Sequence, residues 1–178
     1  MAVTLKTIEE VRRMTAFPPD AMLQQVGPLA LIQRGAAAAV SVPANPLAMS
    51  NAMTRTVEIE APPVARQALS LLLDVGDGLV VPLGADSPDG KVTIGRADDV
   101  DVRLEDPSVS GHHALIRFDA WKRSAWVTDL GSTNGTLVNG RAVQGETQLA
   151  EGNVVTLGDA SAFLFLRTET LYALLKQK

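Results

Sequence analysis

The sequence contains no cysteine and only two histidines among its 178 residues. Without cysteine the chain forms no disulfide, thiolate nucleophile or cysteine zinc site, and two histidines leave few ligands for a metal cluster. No apolar run reaches the roughly 18 residues that a membrane-spanning helix needs. Acidic residues occupy the N-terminus, where a signal peptide would be apolar. We therefore expect no metal, no cofactor and no membrane span, and a cytoplasmic location.

Positive charge is also scarce, since 16 Lys and Arg face 20 Asp and Glu and give a net charge of −4. An acidic chain is poorly suited to nonspecific binding of nucleic acid, although a local basic pocket is allowed. Aromatic residues are few, and both tryptophans, the tyrosine and three of the four phenylalanines lie after residue 66. The core is therefore expected in the second part of the chain.

The N-terminal segment carries helix signals. Thr7 and Glu10 form a capping-box pattern, and apolar residues at helical spacing behind them predict a helix over 8–15. Asp20 is a candidate cap for a second short helix that ends near Val26. The pattern indicates a short helical element, which offers a second interaction segment.

The first 66 residues divide into two predicted units. Residues 1–34 form the helical element, and Leu29–Ile32 at its end is an apolar run of ambiguous type. Residues 35–66 are rich in alanine and contain prolines, which is typical of a linker. The alternating pattern of 54–60 predicts a strand inside it. An alternative is that Met49, Met53 and the alanines dock on a partner.

The second part of the chain has the pattern of a β-protein. Short β-branched or leucine-rich runs alternate with turn dipeptides at intervals typical of a sandwich or barrel. We predict this domain over 67–168, followed by a helix over 169–178 with Thr168 as its N-cap. The predicted strand runs are Leu69–Leu73, Leu79–Leu83, Val92–Ile94, Val100–Leu104, Ala114–Phe118, Ala125–Thr128, Thr136–Val138, Val154–Leu157 and Phe163–Leu166. The turn dipeptides are Asp77-Gly78, Asp89-Gly90, Asn134-Gly135, Asn139-Gly140 and Glu151-Gly152.

Three polar patches interrupt this β pattern. A strand ends at Gly95-Arg96, a loop of small hydroxyls and glycine covers 108–113, and turn-forming polar residues cover 131–136. An arginine fork, short hydroxyls, an asparagine amide and backbone N–H groups beside glycine together suit a tetrahedral oxyanion. The patches therefore predict a site that binds phosphate without cleaving it.

The same residues resemble the signature of forkhead-associated (FHA) domains. Gly95-Arg96 is followed by Ser110 and His113, then by the run Ser132-Thr133-Asn134-Gly135-Thr136 and by Asn139-Gly140. The resemblance extends from about residue 66 to about residue 168. It implies a mainly β fold, an eleven-stranded β-sandwich whose loops at one end bind phosphothreonine peptides.

The resemblance also implies roles for single residues. Arg96 and Ser110 would bind the phosphate, Gly111 would offer its backbone, and Thr133 its hydroxyl or N–H. Asn134 would hold the peptide main chain. Gly95, His113, Gly135 and Asn139 would support the site structurally. Family members often have a basic or polar side chain directly after the serine, and this chain departs from that pattern with Gly111.

These residues also allow other interpretations. Arg96 could pair with Asp98, Asp99 or Asp101 on the surface. Ser110, His113 and Asp129 could form a hydrolase triad, but the chain has no nucleophile-elbow pattern. His112 and His113 could be a pair of metal ligands, but no carboxylate or cysteine stands at the spacing from them that a metal site needs. Residues 84–91 resemble a phosphate-binding loop only faintly and are better interpreted as a hairpin turn.

The sequence therefore predicts a non-catalytic adaptor in Ser/Thr kinase signalling. Its partners would be a phosphothreonine-containing protein or peptide, namely a Ser/Thr kinase or its substrate, with no nucleic acid. The alternative is a phospho-independent scaffold that uses the sandwich and the N-terminal segment as docking surfaces. Thr54 and Thr56 are candidate phosphorylation sites, from which the chain could occupy its own binding site.

Overall fold

Two β-sheets and a layer of helices make up the part of the chain that the computed structural model describes, residues 3–33, 78–84, 87 and 89–176. The helices are α1 (Ile8–Met14), α2 (Pro19–Val26) and α3 (Thr168–Lys176). The strands are β1 (Lys6–Thr7), β2 (Leu29–Gln33), β3 (Leu79–Leu83), β4 (Lys91–Gly95), β5 (Val102–Arg103), β6 (Ala114–Asp119), β7 (Ser124–Asp129), β8 (Thr136–Val138), β9 (Arg141–Ala142), β10 (Thr147–Leu149), β11 (Val154–Leu157) and β12 (Ser161–Arg167).

The strands form a two-sheet sandwich, which confirms the predicted mainly β fold. One sheet has seven strands in the order β1-β3-β2-β12-β11-β8-β9, and the other has five in the order β10-β7-β6-β4-β5. All neighbours are antiparallel except β4 and β5, which pair in parallel. The described residues hold twelve strands against the eleven predicted.

The strands β2, β3 and β12 of the seven-stranded sheet are buried on both faces. Along β12, Phe163 and Phe165 point into the core between the sheets, whereas Leu164 and Leu166 point outward into a second core under the helices. This alternation follows from the two-residue period of a strand. The described residues are therefore arranged in three layers, with the five-stranded sheet, the seven-stranded sheet and the helices in that order.

The N-terminal segment supplies a central strand of this sandwich. The run Leu29–Ile32, whose type the sequence left open, lies in β2 between β3 and β12. Leu29 and Leu31 face the inter-sheet core, and Ala30 and Ile32 face the helices. Burial on both faces explains why the run shows no alternation of apolar and polar residues.

The three helices cover the outer face of the seven-stranded sheet. The capping box of α1 is present, with the Thr7 hydroxyl accepting from the Glu10 N–H at 3.2 Å. The predicted cap of α2 is wrong, because the N-cap is Pro18 and Asp20 lies in the first turn. Pro19 follows as the first helical residue. Proline fits this position because its φ is already helical and its missing N–H is not needed there.

Helix α3 is joined to the end of α2. The Thr168 hydroxyl donates to the Gly27 carbonyl at 2.6 Å, and Leu171 and Leu175 are buried against the second core. Leu174 is partly buried on the same face. The predicted apolar face of this helix is therefore present.

Four of the predicted turn dipeptides lie wholly in the described residues, and each has a positive φ at its glycine. Three of these four connect strands of different sheets. Asn139-Gly140 closes the β8–β9 hairpin with φ values of 50° and 77°. Asn134-Gly135 instead joins β7 to β8, which lie in different sheets, and 84–91 joins β3 to β4 across the sandwich. The hairpin interpretation of 84–91 is therefore wrong, because a turn signal fixes local φ and does not specify which sheet comes next.

Several predictions lie outside the described residues. They are the linker over 35–66 with Met49 and Met53, the strand over 54–60 and the strand run Leu69–Leu73. Within the described residues, no helix has both the length and the apolar character needed to cross a membrane.

Candidate functional site

Three loops meet at one end of the sandwich and carry the polar patches of the sequence. They are the β4–β5 loop (96–101), the β5–β6 loop (104–113) and the β7–β8 loop (130–135). Backbone hydrogen bonds join the first two: the Arg96 N–H donates to the Ser110 carbonyl, and the Ala97 N–H to the Gly111 carbonyl, both at 3.0 Å. These bonds place Arg96 beside Ser110 and Ala97 beside Gly111, although each pair is fourteen positions apart in the sequence.

Gly95 allows this close approach. A Cβ atom at this position would overlap the Gly111 carbonyl oxygen and lie 3.1 Å from the His113 nitrogen. The predicted structural role of Gly95 therefore has a geometric cause, because only glycine lets the two loops come this near.

His113 connects the second and third loops from inside the protein. Its side chain is fully buried. Its Nδ1 accepts from the Ser110 N–H at 3.0 Å, and its Nε2 lies 3.0 Å from the Gly135 carbonyl. A carbonyl only accepts, so the proton sits on Nε2 and the ring is neutral.

Ser110 and Thr133 form the contact between loops at the protein surface. The Thr133 N–H donates to the Ser110 Oγ at 3.0 Å, and the two hydroxyl oxygens lie 3.4 Å apart. Ser110 is half-buried, whereas Thr133 and Asn134 are exposed. Two hydroxyls and exposed backbone are thus presented to solvent at one point.

Asp129 holds the β7–β8 loop in shape. Its carboxylate accepts from the N–H groups of Gly131 and Ser132, both at 2.9 Å, and from the hydroxyls of Ser132 and Thr136, both at 2.6 Å. Burial opposes ionisation of this carboxyl group, but these donors outweigh it, so the pKa of Asp129 is lowered. The loop that presents Thr133 therefore folds around a carboxylate.

A second buried network braces the loop that presents Ser110. The Asp106 carboxylate accepts from the Ser161 hydroxyl at 2.7 Å and from the N–H and hydroxyl of Ser108. Donation from Ser161, then from Ser108, lowers the pKa of Asp106. The Asn134 amide donates to the Ser108 carbonyl at 2.8 Å. The start of β12, through Ser161, thus stabilises the loop that presents Ser110.

Arg96 is exposed and makes no ion pair within the described part of the chain. The acids that follow it are engaged elsewhere. Asp98 Oδ1 lies 2.6 Å from Arg103 Nη1, and Asp99 Oδ1 lies 3.1 Å from His112 Nε2. The expected alternative, in which Arg96 pairs with Asp98 or Asp99, is therefore not the arrangement observed.

An open groove runs beside Arg96. It is lined by Arg96, Ala97, Arg103, Glu105, Pro107 and Gly111. A Cβ atom on Gly111 would meet only the Ala97 Cβ, at 3.7 Å. The missing side chain at this position therefore leaves space within the groove.

The remaining site predictions have the following positions. Gly135 has φ +82° and accepts from His113, whereas Asn139 lies in the β8–β9 turn, where its Oδ1 accepts from the Val154 N–H at 2.8 Å. Thr54 and Thr56 lie outside the described residues. The structure brings together Gly95, Arg96, Ser110, Gly111, His113, Thr133, Asn134 and Gly135. It places Asn139 at the other end of β8 from Gly135.

The geometry does not form a hydrolase triad. The His113 ring bonds the backbone N–H of Ser110 and not its hydroxyl, and Asp129 Oδ2 lies 4.0 Å from Nε2, beyond hydrogen-bond distance. His112 and His113 also do not share a ligand position, because His112 is exposed beside Asp99 and His113 is buried.

Sequence reasoning missed the two carboxylates that organise the loops. Asp106 and Asp129 stand two and three residues before a serine, in the Asx-turn pattern that would have indicated them. The pairing of Asp98 with Arg103 had no local signal, because it depends on the parallel register of β4 with β5.

The assembled surface can hold a tetrahedral oxyanion. It offers a guanidinium group, two hydroxyls and backbone N–H groups at loop tips, and it has no nucleophile activated by a neighbouring base.

Comparison with known proteins agrees with this geometry. Residues 92–158 match the family model described as FHA domain. The FHA domain-containing protein FhaA of Mycobacterium tuberculosis is 44% identical over 94 residues, which are 53% of this chain and 16% of that protein. Protein phosphatase 2C 70 of Arabidopsis thaliana is 35% identical over 77 residues, 38% of this chain and 13% of that protein. The chain thus spans a small part of these relatives' length.

A solved structure described as a structural and functional analysis of phosphothreonine-dependent FHA domain interactions is 40% identical to this chain. The alignment covers 51% of this chain and 84% of the chain in that structure, with a TM-score of 0.42.

Proposed function

This chain contains an FHA domain, and we propose that the three loops at the end of its sandwich bind phosphothreonine peptides. FHA domains are phosphothreonine-binding modules. The observation that carries the proposal is the exposed Arg96 guanidinium, which makes no ion pair in the described residues and stands on the loop bonded to Ser110. A positive charge kept available beside paired hydroxyls suits a dianionic group.

Each site residue has a proposed role. Arg96 and the Ser110 hydroxyl bind the phosphate oxygens, and the Gly111 backbone and Thr133 add hydrogen-bond donors. The Asn134 amide, held in the free protein by the Ser108 carbonyl at 2.8 Å, exchanges that partner for the peptide main chain. Gly95, His113 and Gly135 set the spacing of the loops.

Local charge explains how an acidic domain attracts an acidic ligand. A phosphothreonine carries a charge of about −1.5 to −2 near pH 7. A hydrogen bond to a charged group contributes roughly 1.5–3 kcal/mol, of which ordering the peptide removes a large share. An affinity near micromolar is therefore expected for a peptide that makes a few such contacts.

We propose a signalling role on the same basis. The partner would be a phosphothreonine-containing protein, either a Ser/Thr kinase or its substrate, and this chain would be a non-catalytic adaptor. The limits 1–34, 35–66, 67–168 and 169–178 stay a prediction from the sequence, and β2 (Leu29–Gln33) joins the first of these units to the sandwich of the third. Thr54 and Thr56 stay candidate phosphorylation sites.

The first test measures peptide binding to the wild type and to Arg96→Ala. Fluorescence polarisation with degenerate phosphothreonine, phosphoserine and unphosphorylated peptide pools gives the three dissociation constants. We expect phosphothreonine-selective binding that Arg96→Ala weakens by about 2 kcal/mol, which is about thirtyfold. Arg13→Ala is the matched control, because Arg13 is an exposed arginine on α1, behind the seven-stranded sheet.

Binding should also fall below about pH 6, where the phosphate takes up its second proton. Equal affinity of Arg96→Ala and wild type would contradict the assignment of Arg96. Absence of binding by dephosphorylated wild-type protein would contradict the proposed function and favour the phospho-independent scaffold.

A further inference from the structure

The loop that carries Arg96 contains competitors for the phosphate. Asp98, Asp99 and Asp101 follow Arg96 within five residues. Each of these carboxylates is able to pair with a guanidinium group, and such a pair would occupy the cation that a phosphate needs. Availability of Arg96 therefore depends on what these three acids contact.

Each acid contacts another partner. Asp98 Oδ1 lies 2.6 Å from Arg103 Nη1, and Asp99 Oδ1 lies 3.1 Å from His112 Nε2. Asp101 Oδ2 accepts from the N–H and hydroxyl of Thr93 at 2.8 and 2.7 Å. The three carboxylates thus contact Arg103, His112 and Thr93 in this structure.

We infer that Arg103 is a positioning residue of the phosphate site, which holds Asp98 and so keeps Arg96 available to the ligand. The inference rests on the proposed function of the loops. Arg103 acts here through Asp98 and makes no contact with the phosphate itself.

The fold places Arg103 at the right point for this role. In the parallel pairing of β4 and β5, Arg103 is opposite Gly95, the residue before Arg96, and the Leu104 N–H donates to the Gly95 carbonyl at 2.7 Å. Arg96 and Arg103 line the same groove. The arginine that pairs with Asp98 therefore lines the same groove as Arg96.

The ion pair is too exposed to act mainly on stability. The side chains of Arg103 and Asp98 are 56% and 85% exposed. Exposed pairs stabilise folded proteins little because water and salt screen them. We expect the ion pair to affect ligand binding instead. Without Arg103, Asp98 and the phosphate would compete for the guanidinium group of Arg96.

The test uses full-length protein and a fixed phosphothreonine peptide that the wild type binds. Because an exposed pair contributes little, we expect Arg103→Ala to weaken binding by up to about fivefold. Arg103→Lys retains a cation for Asp98 and should bind like the wild type. Adding Asp98→Asn to Arg103→Ala removes the competitor, so wild-type affinity should return.

A charge-matched control separates competition from net charge. Glu105 lines the same groove, so Glu105→Gln combined with Arg103→Ala changes the net charge as Asp98→Asn does. We expect this variant to stay weak. If Glu105→Gln restored the peptide affinity of Arg103→Ala as well as Asp98→Asn does, the inference would be overturned in favour of a general charge effect. If Asp98→Asn restored no affinity, it would be overturned in favour of direct contact between Arg103 and the ligand.

An NMR measurement tests the inference without any ligand. The Nε–Hε resonance of Arg96 reports its hydrogen bonding. It should move in Arg103→Ala and return in the double variant with Asp98→Asn. A resonance that Arg103→Ala leaves unchanged would overturn the inference. If the wild type bound no peptide, the proposed function would fail. The inference about Arg103 would still be tested by the Arg96 resonance, which is measured without ligand.

Discussion

Gly111 is the residue at which this site departs from the family pattern, and the structure has room for a Cβ atom there. Its Cβ would meet only the Ala97 Cβ, at 3.7 Å. The neighbouring Arg96 supplies the guanidinium group, so a second donor at position 111 would add to it. We expect this position to set affinity and not folding.

Gly111→Arg should therefore strengthen phosphothreonine binding. A charged hydrogen bond contributes roughly 1.5–3 kcal/mol, and fixing an arginine side chain costs up to about 2 kcal/mol. The expected net gain is about 1 kcal/mol, or about fivefold. Peptide titration measures it, with Gly111→Ala as the control that should bind like the wild type. A weaker Gly111→Arg variant would show that the groove needs to stay open.

At the residue scale, sequence alone predicted most side chains that meet at the site. The structure brings Gly95, Ser110, His113 and Thr133 together. Gly95 has a steric reason for its residue type, because a Cβ atom there would overlap the Gly111 carbonyl oxygen. Arg103 was not predicted. Its contact with Asp98 depends on the pairing of β4 and β5, and no local pattern describes that pairing.

The β7–β8 loop is an element whose fold depends on one ionised group. Asp129 accepts four hydrogen bonds from the loop and from the start of β8, and its pKa is lowered although burial opposes ionisation. A lowered folded-state pKa means that the ionised carboxylate favours the folded state. This stability is present above the unfolded pKa of about 3.9 and is lost as the pH falls through the folded pKa.

The free energy of unfolding should accordingly fall as the pH is lowered below about 4. Asp129→Asn removes the titrating group, so this variant should be less stable than the wild type at pH 7 and should lose less stability on acidification. Urea unfolding at pH 7, 5, 4 and 3 measures both slopes. Parallel curves for the two proteins would contradict the role of Asp129. Asp106, whose pKa is also lowered, contributes to the slope that remains.

At the element scale, sequence predicted strands and turns better than connections. Asn139-Gly140 forms the hairpin that its residue types favour, whereas Asn134-Gly135 has positive φ at Gly135 but leads into the other sheet. The difference has a physical cause. Residue types fix the dihedral angles of a turn, while the pairing of the following strand depends on which apolar faces are left to be covered.

At the scale of the whole molecule, the N-terminal segment is structurally part of the sandwich. Strand β2 lies between β3 and β12 in the seven-stranded sheet, and α1 and α2 pack with α3 over that sheet. Composition had suggested a division near residue 66, because the aromatic residues follow it. Aromatic content shows where large side chains are, but the small and branched residues of β2 fill the same two cores.

The last prediction follows from this central strand. A chain that begins at residue 67 leaves β3 and β12 without the strand between them and removes Leu29 and Leu31 from the core beside Phe163 and Phe165. We expect that shortened chain to show no cooperative thermal unfolding and no peptide binding. In the full chain, Leu31→Ala should cost about 2–5 kcal/mol, as other buried leucines do, and lower the Tm without changing the peptide Kd of the folded fraction. If the shortened chain unfolded cooperatively at the wild-type Tm, β2 would be dispensable and the division near residue 66 would stand as a domain boundary.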